Sequence, residues 1–186
     1  MKYIFILVIT TWVIFSCNEQ ANQPSSSSED TPQAIDENKV AEKSDTINEP
    51  RLVKAGIDGS VLLTAENGKA IGPEIKYMPE WRAFGWFTAN DRVEWEIETH
   101  NPKEYDVYLE WAVSDEEAGK EFILETNNGQ LTGIVKPSGS WETFKSERIG
   151  KINLSEGRQK IIFRSKTKFE KGALLDLRQL KLVAGK

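Results

Sequence analysis

Cysteine and histidine are almost absent from this 186-residue sequence, which contains one of each, Cys17 and His100. A single cysteine excludes an internal disulfide and a zinc site built on several thiolates. His100 precedes Asn101-Pro102 in a predicted turn, so it offers little basis for a catalytic pair of nucleophile and general base. Paired carboxylates stay available for chemistry, because the sequence contains 29 acidic residues.

Net charge is absent from the larger part of the chain. Residues 51–186 carry 21 basic and 21 acidic residues, whereas residues 18–50 carry two lysines and eight acids. The net charge of −5 therefore originates in residues 18–50. A segment with balanced charge has no bulk attraction for phosphate backbones, so nucleic acid is not expected as a partner.

Long hydrophobic runs are also scarce, apart from thirteen apolar or weakly polar residues at positions 3–15. This run is shorter than the roughly 20 residues of a membrane-spanning helix and is typical of a signal-peptide core. Its ending, Ile14-Phe15-Ser16-Cys17, resembles the lipobox of bacterial lipoproteins. The resemblance implies a signal peptide over residues 1–16, acyl chains of the palmitate type on Cys17, and anchoring in the bacterial outer membrane at the cell surface. The alternative is a free cysteine in an ordinary secretory leader.

Aromatic residues and glycine are absent from residues 18–50, which contain three prolines and four consecutive serines. Such a composition buries too little apolar area to offset its chain entropy. We therefore predict that residues 17–50 are the lipidated cysteine and a disordered acidic Ser/Pro linker. This linker would hold a folded domain, residues 51–186, away from the lipid surface.

Helical periodicity is missing from residues 51–186, and period-two alternation takes its place. Residues 92–98 and 106–113 alternate apolar with polar side chains, which indicates two half-buried strands with Trp95 and Trp111 in the core. Further strands are predicted at residues 61–65, 74–78, 120–126, 130–136, 142–149, 158–165 and 173–183. Turn sequences such as Asn127-Asn128-Gly129 separate them. About nine short strands predict an all-β fold, an antiparallel β-sandwich.

Five of the fourteen aromatic residues in this domain fall within residues 77–87. Their spacing does not follow strand alternation, so at least one should point outward or line a cleft, and we expect Trp81 to be the exposed member. Trp141, after the turn at residues 138–140, is a second candidate, and Trp86 is left open between surface and core. Exposed tryptophans suit sugars, because the C–H face of a pyranose packs against an aromatic ring.

Seven short motifs follow one another through the domain: Thr64-Ala65-Glu66, Gly85-Trp86-Phe87, Asn90-Asp91-Arg92-Val93-Glu94-Trp95, Tyr105-Asp106-Val107-Tyr108-Leu109, Ser138-Gly139-Ser140-Trp141-Glu142-Thr143-Phe144, Ile152-Asn153-Leu154-Ser155-Glu156-Gly157 and Leu175-Asp176-Leu177. In this order and spacing the domain resembles carbohydrate-binding module families 6 and 35, over about residues 61–183. These families are galactose-binding-like jelly rolls, so the resemblance implies that fold.

The resemblance also implies two sites. A structural calcium ion between the first and last strands would be held by Glu66 and Asp176, whose carboxylates are the hard oxygen ligands that calcium prefers. A salt bridge to an arginine is the alternative partner for Asp176. A pyranose would be sandwiched between Trp86 and Trp141.

We extend the predicted sugar site to Tyr77, Trp81 and Lys171. The asparagine that binds sugar hydroxyls in the family has no counterpart, because residues 169–172 read Phe-Glu-Lys-Gly, and Lys171 favours an anionic, uronic or sulfated sugar. The sequence therefore predicts a non-catalytic cell-surface lipoprotein that binds poly- or oligosaccharide in a polysaccharide-degradation system. One alternative is a scaffold module that binds protein partners. The other is a small glycan-active enzyme with two carboxylates beside the tryptophans.

Overall fold

A computed structural model describes residues 51–185, which contain no helix, and therefore none that could cross a membrane. The predicted signal peptide (1–16), Cys17 and the predicted linker (17–50) lie outside the described residues. The described chain forms twelve strands: Val53–Lys54 (β1), Val61–Thr64 (β2), Lys69–Ile71 (β3), Lys76–Met78 (β4), Ala83–Gly85 (β5), Arg92–Thr99 (β6), Lys103–Ala112 (β7), Glu121–Thr126 (β8), Gly129–Ile134 (β9), Lys145–Leu154 (β10), Gly157–Ser165 (β11) and Asp176–Ala184 (β12).

The first of two six-stranded sheets is built on the long antiparallel pair β6 and β11. Strands β8 and β9 continue the sheet beyond β11, while β1 and β3 share the other edge of β6. Strand β1 pairs with β6 in parallel, and it is the one named strand pair in residues 51–185 that departs from the predicted antiparallel arrangement.

The second sheet has the order β10-β7-β12-β5-β4, and β2 also pairs with β12. Its register places Asp176, the first residue of β12, opposite Ala112, the last residue of β7. Leu177 then pairs with Phe84 in β5. The start of β12 and the ends of β5 and β7 therefore meet at one end of the sandwich, where several loops converge.

The core lies between the sheets and contains the two tryptophans predicted to be buried. Trp95 and Trp111 are inaccessible to solvent, and their indole N–H groups donate to the carbonyls of Thr64 and Lys136 at 2.9 and 2.8 Å. Each buried indole removes about 200 Å² from water, so its truncation to alanine is expected to cost about 3 to 5 kcal/mol. The alternation in β6 and β7 arises because every second side chain enters this core.

The predicted all-β sandwich is confirmed, with two differences in its strands. Strands β1, β3 and β5 were not predicted, because two or three residues are too short to display a period. Strand β10 continues to Leu154, past the predicted end at residue 149. Gly150 permits this, because a shift of register between Arg148 and Gly150 forms a bulge where Gly150 has a φ of +150°.

Candidate functional site

A cleft of about 720 Å³ opens at the end of the sandwich where β12 starts and β5 and β7 end. Residues from six loops line it, together with the first residue of β12 and the last residue of β4. Trp81, Trp86 and Trp141 all line this cleft, which we call the tryptophan cleft. Trp81 and Trp86 are five residues apart in the sequence, and the fold brings Trp141, which is 55 residues beyond Trp86, to the same cleft.

Trp86 is the most exposed of the three, with 65% of its surface accessible to solvent. It follows directly after β5 in a left-handed conformation with a φ of 58°, which is uncommon for a bulky side chain and costs about 1 to 3 kcal/mol. Its neighbour Phe87 is fully buried in the core. The loop thus turns one aromatic residue inward and holds the next one outward.

The buried carboxylate of Asp91 fixes this loop. Its Oδ2 accepts hydrogen bonds from the backbone N–H and the hydroxyl of Thr88, both at 2.7 Å, and its Oδ1 accepts one from the N–H of Glu74 at 3.2 Å. Thr88 and Glu74 both line the tryptophan cleft. Asp91 therefore ties two loops of the cleft together, a role that sequence reasoning missed.

Trp81 is half-buried, and neighbouring side chains hold it in place. Its ring stacks on Phe144 with centroids 6.2 Å apart, and the guanidinium of Arg178 lies 3.5 Å from the centroid of Phe144. The Nε of Arg178 also donates to the Trp81 carbonyl at 3.1 Å, while its Nη1 donates to Glu110 at 2.8 Å. This wall of the cleft is therefore rigid.

Trp141 is also half-buried and packs against the core. Its loop is anchored by buried Ser138, whose Oγ accepts from the N–H of Val113 at 2.8 Å. The expectation that Trp81 would be the exposed aromatic of residues 77–87 is wrong, because its stacking partner covers one face. Trp86 is the exposed residue instead.

Carboxylates are the second feature of the cleft. Five of them line it, namely those of Glu74, Glu117, Glu142, Glu170 and Asp176. The described lining includes no lysine, arginine or histidine, although Lys120 forms an ion pair with Glu117. Sequence reasoning identified Asp176 alone, because each glutamate comes from a different connection and no local motif groups them.

Asp176 is the unusual member of this group. Its residue is 9% exposed, and its carboxylate has no hydrogen bond or ion pair with any residue of the described chain, so the predicted alternative of an arginine partner is not formed. A Cβ on Gly85 would lie 2.9 Å from its Oδ1 and 2.5 Å from the Cε of Met78, which shows how closely these groups pack. Burial raises the pKa of the Asp176 carboxyl to about 7.

No protein-family model and no curated protein matches this sequence. Solved structures do match it. A family 35 carbohydrate-binding module from Clostridium thermocellum aligns with 68% of this chain and 98% of its own length, at a TM-score of 0.56 and 15% identity. The family 35 module of Abf62 from Cellvibrio japonicus aligns with 68% of this chain and 94% of its own, at a TM-score of 0.55 and 17% identity. The chain folds like a family 35 carbohydrate-binding module.

An enzyme carries a similar domain. The exo-β-1,3-galactanase of Phanerochaete chrysosporium aligns with 66% of this chain at a TM-score of 0.55 and 22% identity, but the match covers 29% of the galactanase. The described chain therefore corresponds to less than a third of that enzyme. Identities of 15 to 22% establish the shared fold, and the function of this chain has to be argued from its cleft.

The remaining predicted sugar-binding residues lie outside the tryptophan cleft. Tyr77 packs edge-on against Phe84, with centroids 6.0 Å apart, and its hydroxyl donates to Glu66 at 3.4 Å. Lys171 is exposed between Glu170 and Gly172, which line the cleft, but Lys171 itself does not. The basic residue expected to attract an anionic sugar is thus absent from the described lining.

The predicted calcium ligands line different clefts. Both oxygens of Glu66 accept hydrogen bonds from Arg82, at 2.6 and 3.0 Å, and this ion pair holds the pKa of Glu66 below its usual value. Glu66 lines a separate cleft of about 310 Å³, whereas Asp176 lines the tryptophan cleft. Within residues 51–185 no group of three acidic, histidine or cysteine side chains is placed to hold a metal ion. This arrangement does not fit a calcium ion between Glu66 and Asp176, because a guanidinium already neutralises one of the two carboxylates.

Proposed function

We propose that this protein is a non-catalytic, lipid-anchored module that binds poly- or oligosaccharide in the tryptophan cleft. The observation that carries this proposal is the convergence of three tryptophans on one cleft, one of them held outward by a strained backbone. Strained residues persist where the surrounding structure enforces them, and they are concentrated at binding sites. The likeness in fold to family 35 carbohydrate-binding modules supports the same class of ligand.

The chemistry of the cleft suits a sugar. An exposed indole provides a flat apolar surface for the C–H face of a pyranose, and the adjacent hydroxyl and carboxylates provide acceptors for sugar hydroxyls. A volume of about 720 Å³ lies within the ordinary range for ligand sites. The rigid mounting of Trp81 reduces the entropy lost on binding.

The experiment is a panel of immobilised neutral, amino, uronic and sulfated glycans probed with the full chain in a detergent that lacks a sugar headgroup. Trp86→Ala should weaken binding to any glycan that is retained by about tenfold or more, because stacking is lost. The matched control is Ile134→Ala, since Ile134 is another large apolar residue with 62% exposure but lies in β9, outside the cleft. Equal binding by wild type and Trp86→Ala would contradict a sugar site in this cleft.

Absence of binding to the whole panel by folded protein would favour the scaffold hypothesis. In that case the tryptophans would be interface anchors for a protein partner, since tryptophan is enriched at the centres of protein interfaces. Crosslinking in intact cells through a photoreactive residue at position 86 would then capture the partner.

The enzyme hypothesis is favoured by one specific observation, the buried Asp176 with its raised pKa among other carboxylates. A protonated carboxylic acid beside an ionised one is the arrangement that glycoside hydrolysis uses. Release of reducing ends from a retained glycan, measured over many hours, discriminates between the two functions. We expect no release of reducing ends. If the wild type released them and neither Asp176→Asn nor Glu142→Gln did so, the protein would be an enzyme.

The lipid anchor and the surface location are part of the same proposal and are supported by the sequence ending Ser16-Cys17 after an apolar leader. Two or three acyl chains on Cys17 would hold the protein firmly at the bacterial outer membrane, where it would present glycan to neighbouring degrading enzymes. Metabolic labelling with an alkyne palmitate analogue should label the wild type and leave Cys17→Ser unlabelled. Protease treatment of intact cells then distinguishes the outer face of the membrane from the inner face.

A further inference from the structure

We propose that the tryptophan cleft selects a saccharide with a protonated amino group, such as a hexosamine that lacks its N-acetyl group, over uronic or sulfated sugars. This inference rests on the proposed function, because it concerns the ligand class of the same cleft. It replaces the anionic sugar predicted from Lys171, which lies outside the lining.

The first support is the charge of the cleft. Five carboxylates line it, and one of them, that of Glu117, is paired with Lys120. Two other lysines are nearby: Lys76 places its Nζ 6.0 Å from the centroid of the Trp86 ring, and Lys171 is exposed beside Glu170. Neither belongs to the lining, so every charged side chain of the described lining is acidic. An anionic sugar would add like charge to this surface, whereas an ammonium group would compensate it.

The second support is independent of the number of acids. Asp176 is more than nine-tenths buried, lines the cleft, and has no partner among the described residues. The carboxylate oxygens of Asp176 keep some contact with solvent in the cleft, but the residue has lost most of its hydration, which is unfavourable for the ionised form. An ammonium group in the cleft would supply both an opposite charge and up to three hydrogen-bond donors. Gly85 is what leaves room for the carboxylate, since any side chain there would contact Asp176 and Met78.

The third support is the aromatic wall. The face of an indole attracts cations as well as sugar C–H groups. The position of Lys76 near the ring of Trp86 shows that this face accepts an ammonium group in the protein itself. An amino sugar uses both properties at once, because its ring stacks on the indole while its ammonium group reaches the carboxylates.

The test compares β-1,4-linked glucosamine tetrasaccharide with its fully N-acetylated form and with a uronic tetrasaccharide, by calorimetric titration of the full chain in the presence of a chelator. The titration is carried out at about pH 6.5, close to the raised pKa of about 7 of Asp176, so that an ionised carboxylate and a protonated amine are both present in the mixture. We expect the amino form to bind about tenfold or more tightly than the N-acetylated form, since a hydrogen bond between charged groups replaces one to a neutral amide. Its affinity should decrease as salt is added.

Variants identify the groups responsible. Asp176→Asn should weaken binding of the amino form by about tenfold and leave binding of the N-acetylated form within about twofold. Glu156→Gln is the matched control, because Glu156 is an exposed acid in the turn between β10 and β11, beyond the end of β7 opposite to Asp176. It should change neither affinity.

Each other outcome overturns the inference in a recognisable way. The charge selection would be refuted if the amino and N-acetylated forms bound equally tightly, or if the uronic form bound more tightly than the amino form. If Trp86→Ala abolished this binding, the sugar site itself would still be supported. If free lysine or calcium ions displaced the amino tetrasaccharide fully at similar concentrations, the cleft would be a cation site without sugar selectivity. Binding of none of the three saccharides, nor of any glycan in the wider panel, would refute the proposed function itself.

Discussion

Replacement of the Asp176 carboxylate by an amide should stabilise the protein, although it removes a polar group that lines the proposed binding site. Burial raises the pKa of Asp176 from an ordinary 3.8 to about 7, so the folded state binds this proton more tightly than the unfolded state does. Stability contributed by the protonated form is present at low pH and is lost as the pH rises through about 7.

The magnitude follows from the shift of about three units. At 1.36 kcal/mol per unit, the ionised carboxylate destabilises the fold by at most about 4 kcal/mol above pH 7. The unfolded carboxyl ionises above 3.8, so part of this loss has already occurred at pH 5, and at most about 2 to 3 kcal/mol is lost between about pH 5 and pH 8. The cleft is open to water, which reduces the figure further. For a domain of this size that corresponds to roughly 10 °C in Tm.

The assay is urea unfolding of wild type and Asp176→Asn at about pH 5 and pH 8, followed by tryptophan fluorescence. The variant should be more stable than the wild type at the higher pH, and its advantage should be smaller at the lower pH by up to about 2 to 3 kcal/mol. The other titratable groups are common to both proteins, so their contributions cancel in the difference. Asp115→Asn, which removes an exposed carboxylate from the β7–β8 connection, is the matched control and should behave as wild type. A variant less stable than wild type at the higher pH would refute the reasoning, because it would mean that the ionised Asp176 has a stabilising partner.

Three further predictions concern the tryptophan cleft and the calcium site. Trp86→Ala should lower the free energy of unfolding by less than about 1 kcal/mol, whereas Trp141→Ala should lower it by about 2 kcal/mol or more. The reason is that Trp141 packs against the core and Trp86 does not. Similar losses for the two variants in urea unfolding would contradict this placement. Asp91→Ala should lower the free energy of unfolding by about 2 to 3 kcal/mol, because the donors of Thr88 and Glu74 lose their acceptor. A glycan titration should also detect weaker binding by this variant. Unchanged binding would show that the loop keeps its shape without Asp91. Calcium should leave Tm unchanged relative to a chelator in thermal denaturation, and a rise that Asp176→Asn abolishes would establish the metal site.

The fold was predictable because its signal is repeated along the chain. Trp95 and Trp111 occupy alternating positions in two long strands, and both are buried in the core, where the pattern places them. Gly150 interrupts such a pattern without ending the strand, because a bulge absorbs the extra residue, and no local sequence rule distinguishes that bulge from a turn.

The cleft was predictable in part. Tryptophans are rare and chemically distinctive, so their selection required no knowledge of contacts. The degree of exposure depended on contacts that only the fold provides: Phe144 covers a face of Trp81, and a left-handed backbone turns Trp86 outward. The partner of Glu66 was missed for the same reason, since Arg82 is sixteen residues away in the sequence and reaches Glu66 from the turn between β4 and β5.

Three departures from ordinary folding rules occur together in the tryptophan cleft. Trp86 has a strained backbone and an exposed apolar ring, and Asp176 is a largely buried acid without a partner among the described residues. Five carboxylates also line the cleft, and its described lining contains no basic residue, although Glu117 pairs with Lys120 outside the lining. Each departure costs stability, and none of them improves the packing of the sandwich. A ligand with a flat apolar face and a positive charge would reverse all three costs at once, because it covers the indole, pairs with the buried carboxylate and neutralises the surface. The same ligand should therefore stabilise the protein most strongly above about pH 7, where the unliganded Asp176 is ionised, provided that its own amine stays protonated there.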